Sequence, residues 1–116
     1  MDTVNVINIE IDEGIPFVME VVLLGENDTP VKLHGFQFLL EVKESQFHKS
    51  AYITLNTQTN SIIVDNENGT VSVLFNAEST KGKTSGVYDL IGFSPSGTPF
   101  KIARGAIKII PTISKW

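Results

Sequence analysis

Apolar and polar positions alternate with a period of two along most of this chain. In residues 36–43, Phe36, Phe38, Leu40 and Val42 alternate with Gln37, Leu39, Glu41 and Lys43, as in a strand with one face buried. Residues 70–76 repeat the pattern, with Val71, Val73 and Phe75 on one side and Ser72, Leu74 and Asn76 on the other. Residues 16–24 put Phe17, Met19, Val21 and Leu23 on one face, and residues 25–30 supply turn formers that reverse the chain, so this part reads as strand, turn, strand. The β-branched run 61–65 is followed by Asn66-Glu67-Asn68-Gly69, whose Asn-Gly pair favours the positive backbone angles of a hairpin. Residues 87–94 and 100–110 flank Pro95-Ser96-Gly97-Thr98 as a last hairpin, and residues 4–11 form an opening strand.

Seven or so short strands at about ten-residue spacing, with no amphipathic helix of any length, predict an all-β fold: an immunoglobulin-like antiparallel β-sandwich. Residues 76–80 form at most one helical turn and are expected to carry the chain around a corner between the two sheets. No internal repeat or linker divides the chain, so residues 1–116 are expected to form one domain. Composition agrees: 41% apolar and 19% charged residues predict a folded, soluble domain. The longest apolar stretch is broken by Pro16 and Glu20, well short of the ~20 residues of a spanning helix, so no membrane association is expected. The N-terminus lacks the basic and apolar regions of a signal peptide. The absence of cysteine leaves packing alone to hold the sandwich, which suits a reducing compartment.

The segment Thr84-Ser85-Gly86-Val87-Tyr88-Asp89-Leu90 is similar to the corner where immunoglobulin-like domains place a tyrosine. Tyr88 would be that structural-corner tyrosine, its hydroxyl bonded to backbone a few residues upstream. Leu90 would stand where antibody domains carry a cysteine. Over nearly its full length the chain also resembles a group of short immunoglobulin-like phage virion proteins. The resemblance is carried, in order, by Pro30-Val31-Lys32-Leu33-His34-Gly35, Gly69-Thr70-Val71-Ser72-Val73, Ala77-Glu78-Ser79-Thr80, Tyr88-Asp89-Leu90 and Gly105-Ala106-Ile107-Lys108-Ile109-Ile110-Pro111. Lys32 replaces the usual acid of the first motif. The resemblance implies a virion structural protein of the tail, baseplate, collar, neck or fibre-attachment region, made in the host cytoplasm and in contact with other virion proteins.

The residues give no support to catalysis. His34 and His48 lie fourteen positions apart at the two ends of one expected strand, and at ~3.3 Å per residue they are too distant to share a metal. Asp65-Asn66-Glu67-Asn68-Gly69 lacks the bidentate acid of a calcium loop and places its glycine one position early. Gly82-Lys83-Thr84 ends like a phosphate loop, but Ala77 occupies the position of its first glycine. Neither histidine has a sequence-adjacent acid that would argue for a nucleophile triad. The expectation is therefore a protein that is not an enzyme and carries no cofactor or metal.

Charge is distributed unevenly about its net of −4. Residues 1–30 carry seven acids (Asp2, Glu10, Asp12, Glu13, Glu20, Glu26, Asp28) and no base, while residues 81–116 carry six bases and one acid, Asp89. Two readings follow. Acidic and basic strands lie side by side and neutralise one another within the fold. Alternatively they occupy different surfaces, and copies meet head to tail in a ring. On the second reading Asp12, Glu13, Arg104 and Lys108 are candidate interface residues, with the single tryptophan, Trp116, as an anchor inserted into a neighbour. Net acidity argues against nucleic acid as a partner. The expected function is structural, several copies acting through protein–protein contacts. The alternative is a carbohydrate- or receptor-binding module, for which Phe47 and Tyr52 are the exposed aromatic candidates.

Overall fold

The structure, a computed structural model, describes residues 5–114. Among these residues nine strands, a 3-10 turn (Glu26–Asp28) between the third and fourth, and one α-helical turn follow one another: β1 (Asn5–Val6), β2 (Ile9–Asp12), β3 (Phe17–Val22), β4 (Gln37–Lys43), β5 (Ile53–Asn56), β6 (Ile62–Asp65), β7 (Thr70–Phe75), α1 (Ala77–Thr80), β8 (Gly86–Phe93) and β9 (Pro99–Ile110). The larger sheet has the order β1-β9-β8-β4-β5, with β2 also on β9, and the smaller has the order β3-β7-β6. A sheet of the last two strands with the third and fourth, facing a sheet of the second, fifth and sixth major strands, is the immunoglobulin-like arrangement. Here the opening strand is attached to the final strand rather than to β3.

The inward alternation carries the core. Phe38, Leu40, Val42 and Leu90 from the large sheet meet Met19, Val21, Val71, Val73 and Phe75 from the small one, all buried. Each such side chain stabilises the fold by about 1.5–3 kcal/mol through removal of its surface from water. Leu33, in the crossing between sheets, is also buried, and its amide donates to the Asn66 carbonyl at 3.0 Å. The β6–β7 hairpin turns where the Asn-Gly pair predicts. Gly69 has φ +63, and a Cβ there would stand 2.8 Å from the carbonyl oxygens of Leu23 and Val31. The helical turn carries the chain from β7 in one sheet to β8 in the other, as expected. Its N-cap Asn76 accepts from the Ser79 amide through Oδ1 at 2.9 Å.

Four features differ from the sequence reading. Residues 25–30 do reverse the chain, with Leu24 bridging Pro30 antiparallel, but the next long strand is not the partner of β3: β3 and β4 lie in different sheets, because the residues between them cross the sandwich and contribute Leu33 to its interior. A strand absent from the expectation, β5, lies on β4 with Ile53 and Leu55 facing inward. The opening strand is broken at Ile7 and Asn8, and its two halves pair with β9 in parallel, so the sandwich is antiparallel except along this edge. The fourth difference concerns Tyr88. Its hydroxyl donates to the Ile7 carbonyl at 2.6 Å, with Met19 Sδ at 4.0 Å, and not to backbone a few residues upstream. Tyr88 faces the interior, where the break in the opening strand presents that carbonyl to it.

Candidate functional site

Alternation that sends Leu40, Val42, Tyr88 and Leu90 inward sends Leu39, Glu41, Lys43, Val87, Asp89 and Ile91 to the outer face of the large sheet, each half-buried. In β9 the register with β8 shifts between Leu90 and Ile91. Ile102 is the extra residue, and Lys101 and Arg104 emerge on the same outer face. The register then sets these side chains in rows. Val6, Arg104, Asp89, Glu41 and Thr54 lie in line across five strands. Ala106, Val87 and Lys43 form the row on one side, and Lys101, Ile91 and Leu39 the row on the other.

This face is concave. Segment 44–47 rises beyond β4 as one wall and Val6 with Asn8 forms part of the other, enclosing an open groove of about 880 Å³ whose floor is the Arg104–Asp89–Glu41 row. The wall is stiffened locally. Ser45 Oγ is 2.9 Å from His48 Nδ1 and accepts from the Phe47 amide at 3.3 Å, while His48 Nε2 lies 3.2 Å from Glu44 Oε2. Phe47 stands on this rim 85% exposed.

The electrostatics of the floor are incomplete within the molecule. Lys101 Nζ lies 3.4 Å from Asp89 Oδ2, but among the described residues Glu41, Lys43 and Arg104 have no ion-pair partner. Positive charge lies along β9, in Lys101 and Arg104, whereas β4 and the loop after it carry mixed charge, Glu41, Lys43 and Glu44. Tyr52 behind the wall donates its hydroxyl to the Thr84 carbonyl. Burial first, and then the Glu44 charge, push its phenol above the usual range. A half-buried aromatic fastened in this way does not present a free ring, so of the two aromatic candidates only Phe47 is fully displayed.

The residues singled out from the sequence are dispersed. Arg104 lies in the groove. Lys108 is exposed on β9 opposite Glu10 of β2, and Asp12 is exposed opposite Ile110. Glu13 is engaged in the fold: its carboxylate accepts from the Gly82 amide at 2.7 Å and the Thr112 amide at 3.3 Å. Trp116 lies outside the described residues. The acidic opening strand and basic closing strand thus run beside one another, and that part of the charge asymmetry is compensated within one molecule. Glu41 and Asp89, which complete the row, were not singled out. The signal for them was present as charge at outward positions of strongly alternating strands, but the pairing that aligns them with Arg104 is a long-range property.

Elsewhere, Glu67 at the β6–β7 turn joins Lys32 (2.6 Å) and His34 (3.0 Å), and these hydrogen bonds, that of Lys32 foremost, hold its carboxyl below the usual range. His34 and His48 occupy separate loops. Among the described residues no group of three His, Cys, Asp or Glu side chains is placed to hold a metal ion. No helix among them is long and apolar enough to cross a membrane.

No protein-family model matches the chain, and no curated protein is similar to it in sequence. Among solved structures it is similar to extracellular domains 3–5 of Drosophila OTK, with 15% identity and a TM-score of 0.46 over 96% of this chain and 34% of that one. The chain therefore spans about a third of that structure's length. The immunoglobulin-like character of the fold rests on its own strand order and pairing.

Proposed function

We propose that this chain is a non-catalytic structural protein of a phage particle, tail-associated and present in several copies, that docks other virion proteins on the outer face of its large sheet. The observation that carries the docking role is the Val6–Arg104–Asp89–Glu41 row on the floor of a preformed groove. Arginine and apolar side chains together match the make-up of protein interfaces, and the charged groups beside them can set the orientation of a partner. Placement in a virion is supported by the ordered sequence motifs from Pro30 to Pro111. The test is quantitative mass spectrometry of purified phage particles from lysates that express the chain. Several copies per particle are expected, and complete absence from particles would overturn the assignment.

Phe47 favours a second reading, a carbohydrate- or receptor-binding module, because an aromatic ring on a groove rim can stack on a sugar. A glycan array that gives signal with the native chain and loses it with Phe47→Ala would establish that reading, and a blank array removes it.

A further inference from the structure

We infer that the free edge of β3 takes up an extended segment of a partner protein as a further strand, with a lysine or arginine opposite Glu20 and apolar residues two places to either side of it. The site is separate from the grooved face, which belongs to the other sheet. β3 ends the smaller sheet, with β7 on one side and no strand on the other. The Leu23 amide donates to the Gly69 carbonyl at 2.8 Å, and these two residues continue the β3–β7 register, so the odd-numbered residues of β3 bond to β7. Val18, Glu20 and Val22 therefore turn their amides and carbonyls away from β7, and among the described residues no hydrogen bond meets them there. Such a row of backbone donors and acceptors is a template for another extended chain.

The sandwich has other free edges, at β1, β2, β5 and β6, but none is longer than four residues, against six in β3. β2 also guards its edge with the exposed acids Glu10 and Asp12. On β3 the outward side chains are Val18 (54% exposed), Glu20 and Val22 (50%). Half-buried Leu74 beside Val18, and Ile63 two strands away in the row of Glu20, extend the apolar surface.

Glu20 decides which segment fits. Its row continues through Ser72 and Ile63, neither of them charged, and among the described residues it has no ion-pair partner. Residues 5–31 contain no base. A second copy is a poor occupant: antiparallel pairing of two β3 edges that sets Val18 against Val22 also sets Glu20 against Glu20, and like charges directly opposite one another destabilise a sheet. A base at that position gains where the acid loses, and apolar residues two places away cover Val18 and Val22. Six residues at ~3.4 Å each, on a sheet about 10 Å thick, give a footprint of roughly 200 Å². That is about a quarter of the ~800 Å² per partner of a standard interface, so the segment binds weakly by itself.

Titration of the isotope-labelled chain with the peptide Thr-Val-Thr-Lys-Thr-Val-Thr up to millimolar concentration, followed by nuclear magnetic resonance, tests the inference. The amides of Val18, Glu20 and Val22 should shift saturably and exchange more slowly with solvent. The same peptide with glutamate in place of lysine should bind about threefold to tenfold more weakly. Glu20→Lys, at an exposed position that leaves the core unchanged, should invert that preference. N-methylation of the two valines and the lysine of the peptide, whose amides would face the edge, should abolish binding. No shift at the three amides, equal binding of the lysine and glutamate peptides, a preference unmoved by Glu20→Lys, or undiminished binding of the methylated peptide would each overturn the inference. So would a native chain that dimerises with protection at these amides, since a second copy would then be the occupant.

Discussion

The contact between Tyr88 and Ile7 ties the seventh residue to the strand that follows the helical turn. Burial raises the Tyr88 phenol above its ordinary value. A group whose folded pKa is raised contributes stability that is fully present below its unfolded pKa, about 10 for tyrosine, and that is lost as pH climbs through the folded value. Tyr88→Phe should therefore cost about 1 kcal/mol near neutral pH by leaving the Ile7 carbonyl without its donor. It should also shrink the loss of stability on going to strongly alkaline pH. Urea unfolding curves of native and variant chains at both pH values check this, and an identical alkaline loss in both would refute it. Tyr52, raised as well, leaves the variant a residual alkaline response. At this scale, the sequence shows Tyr88 as a tyrosine two places before a buried leucine in a strongly apolar strand. It does not show a hydrogen-bond partner that lies 81 positions away.

Among the elements, the broken opening strand shows how a local irregularity is built from distant parts. The Ile7 amide donates to the Arg104 carbonyl at 2.9 Å, Asn8 Oδ1 accepts from the Ala106 amide at 2.9 Å, and Gly105 sits between. A Cβ on Gly105 would stand 2.1 Å from the Ile7 oxygen. Gly105→Ala should displace β1 from β9 and destabilise the fold by about 1–3 kcal/mol, the usual cost of forcing atoms into filled space. Hydrogen exchange should show faster exchange at the Ile7 amide while the amides of β4 and β8 lose protection only as global stability falls. Unchanged exchange at Ile7 would contradict the close-packing argument. The strands β3, β4, β7, β8 and β9 were readable directly, because a two-residue period sustained along a strand does not fit the 3.6-residue repeat of a helix. β5 escaped because Ile53 and Leu55 give only two inward apolar positions among polar neighbours. The crossing from β3 to β4 escaped because turn residues report that a chain reverses and not which sheet it reverses into.

For the whole molecule, the two-sheet sandwich was legible and the grooved face was not. Inward residues form a hydrophobic pattern that any sequence window displays, whereas the grooved face depends on which strands become neighbours. Glu41, Asp89 and Arg104 form one row only because β4, β8 and β9 pair in their particular register. Of the two readings of the charge totals, the head-to-tail contact assumed that the acidic and basic ends of the sequence lie apart, whereas the structure sets Glu10 opposite Lys108, as the neutralising reading has it. What the pairing adds is a charged row, Glu41, Asp89 and Arg104, across three strands of one face.

The parallel pairing of the opening strand with β9 has a mechanical consequence. Because residues 5–12 and 103–110 run in the same direction, tension applied at residues 5 and 114 slides one strand along the other. All rungs of that ladder then resist together. Attachment at residues 5 and 97, which lie toward the same end of the sandwich, would instead peel the rungs apart in turn. Single-molecule pulling should give a distinctly higher rupture force in the first geometry, and equal forces in both would show that this edge is not the mechanical clamp. A chain held at residues 5 and 114 would resist extension through that seam without any covalent cross-link.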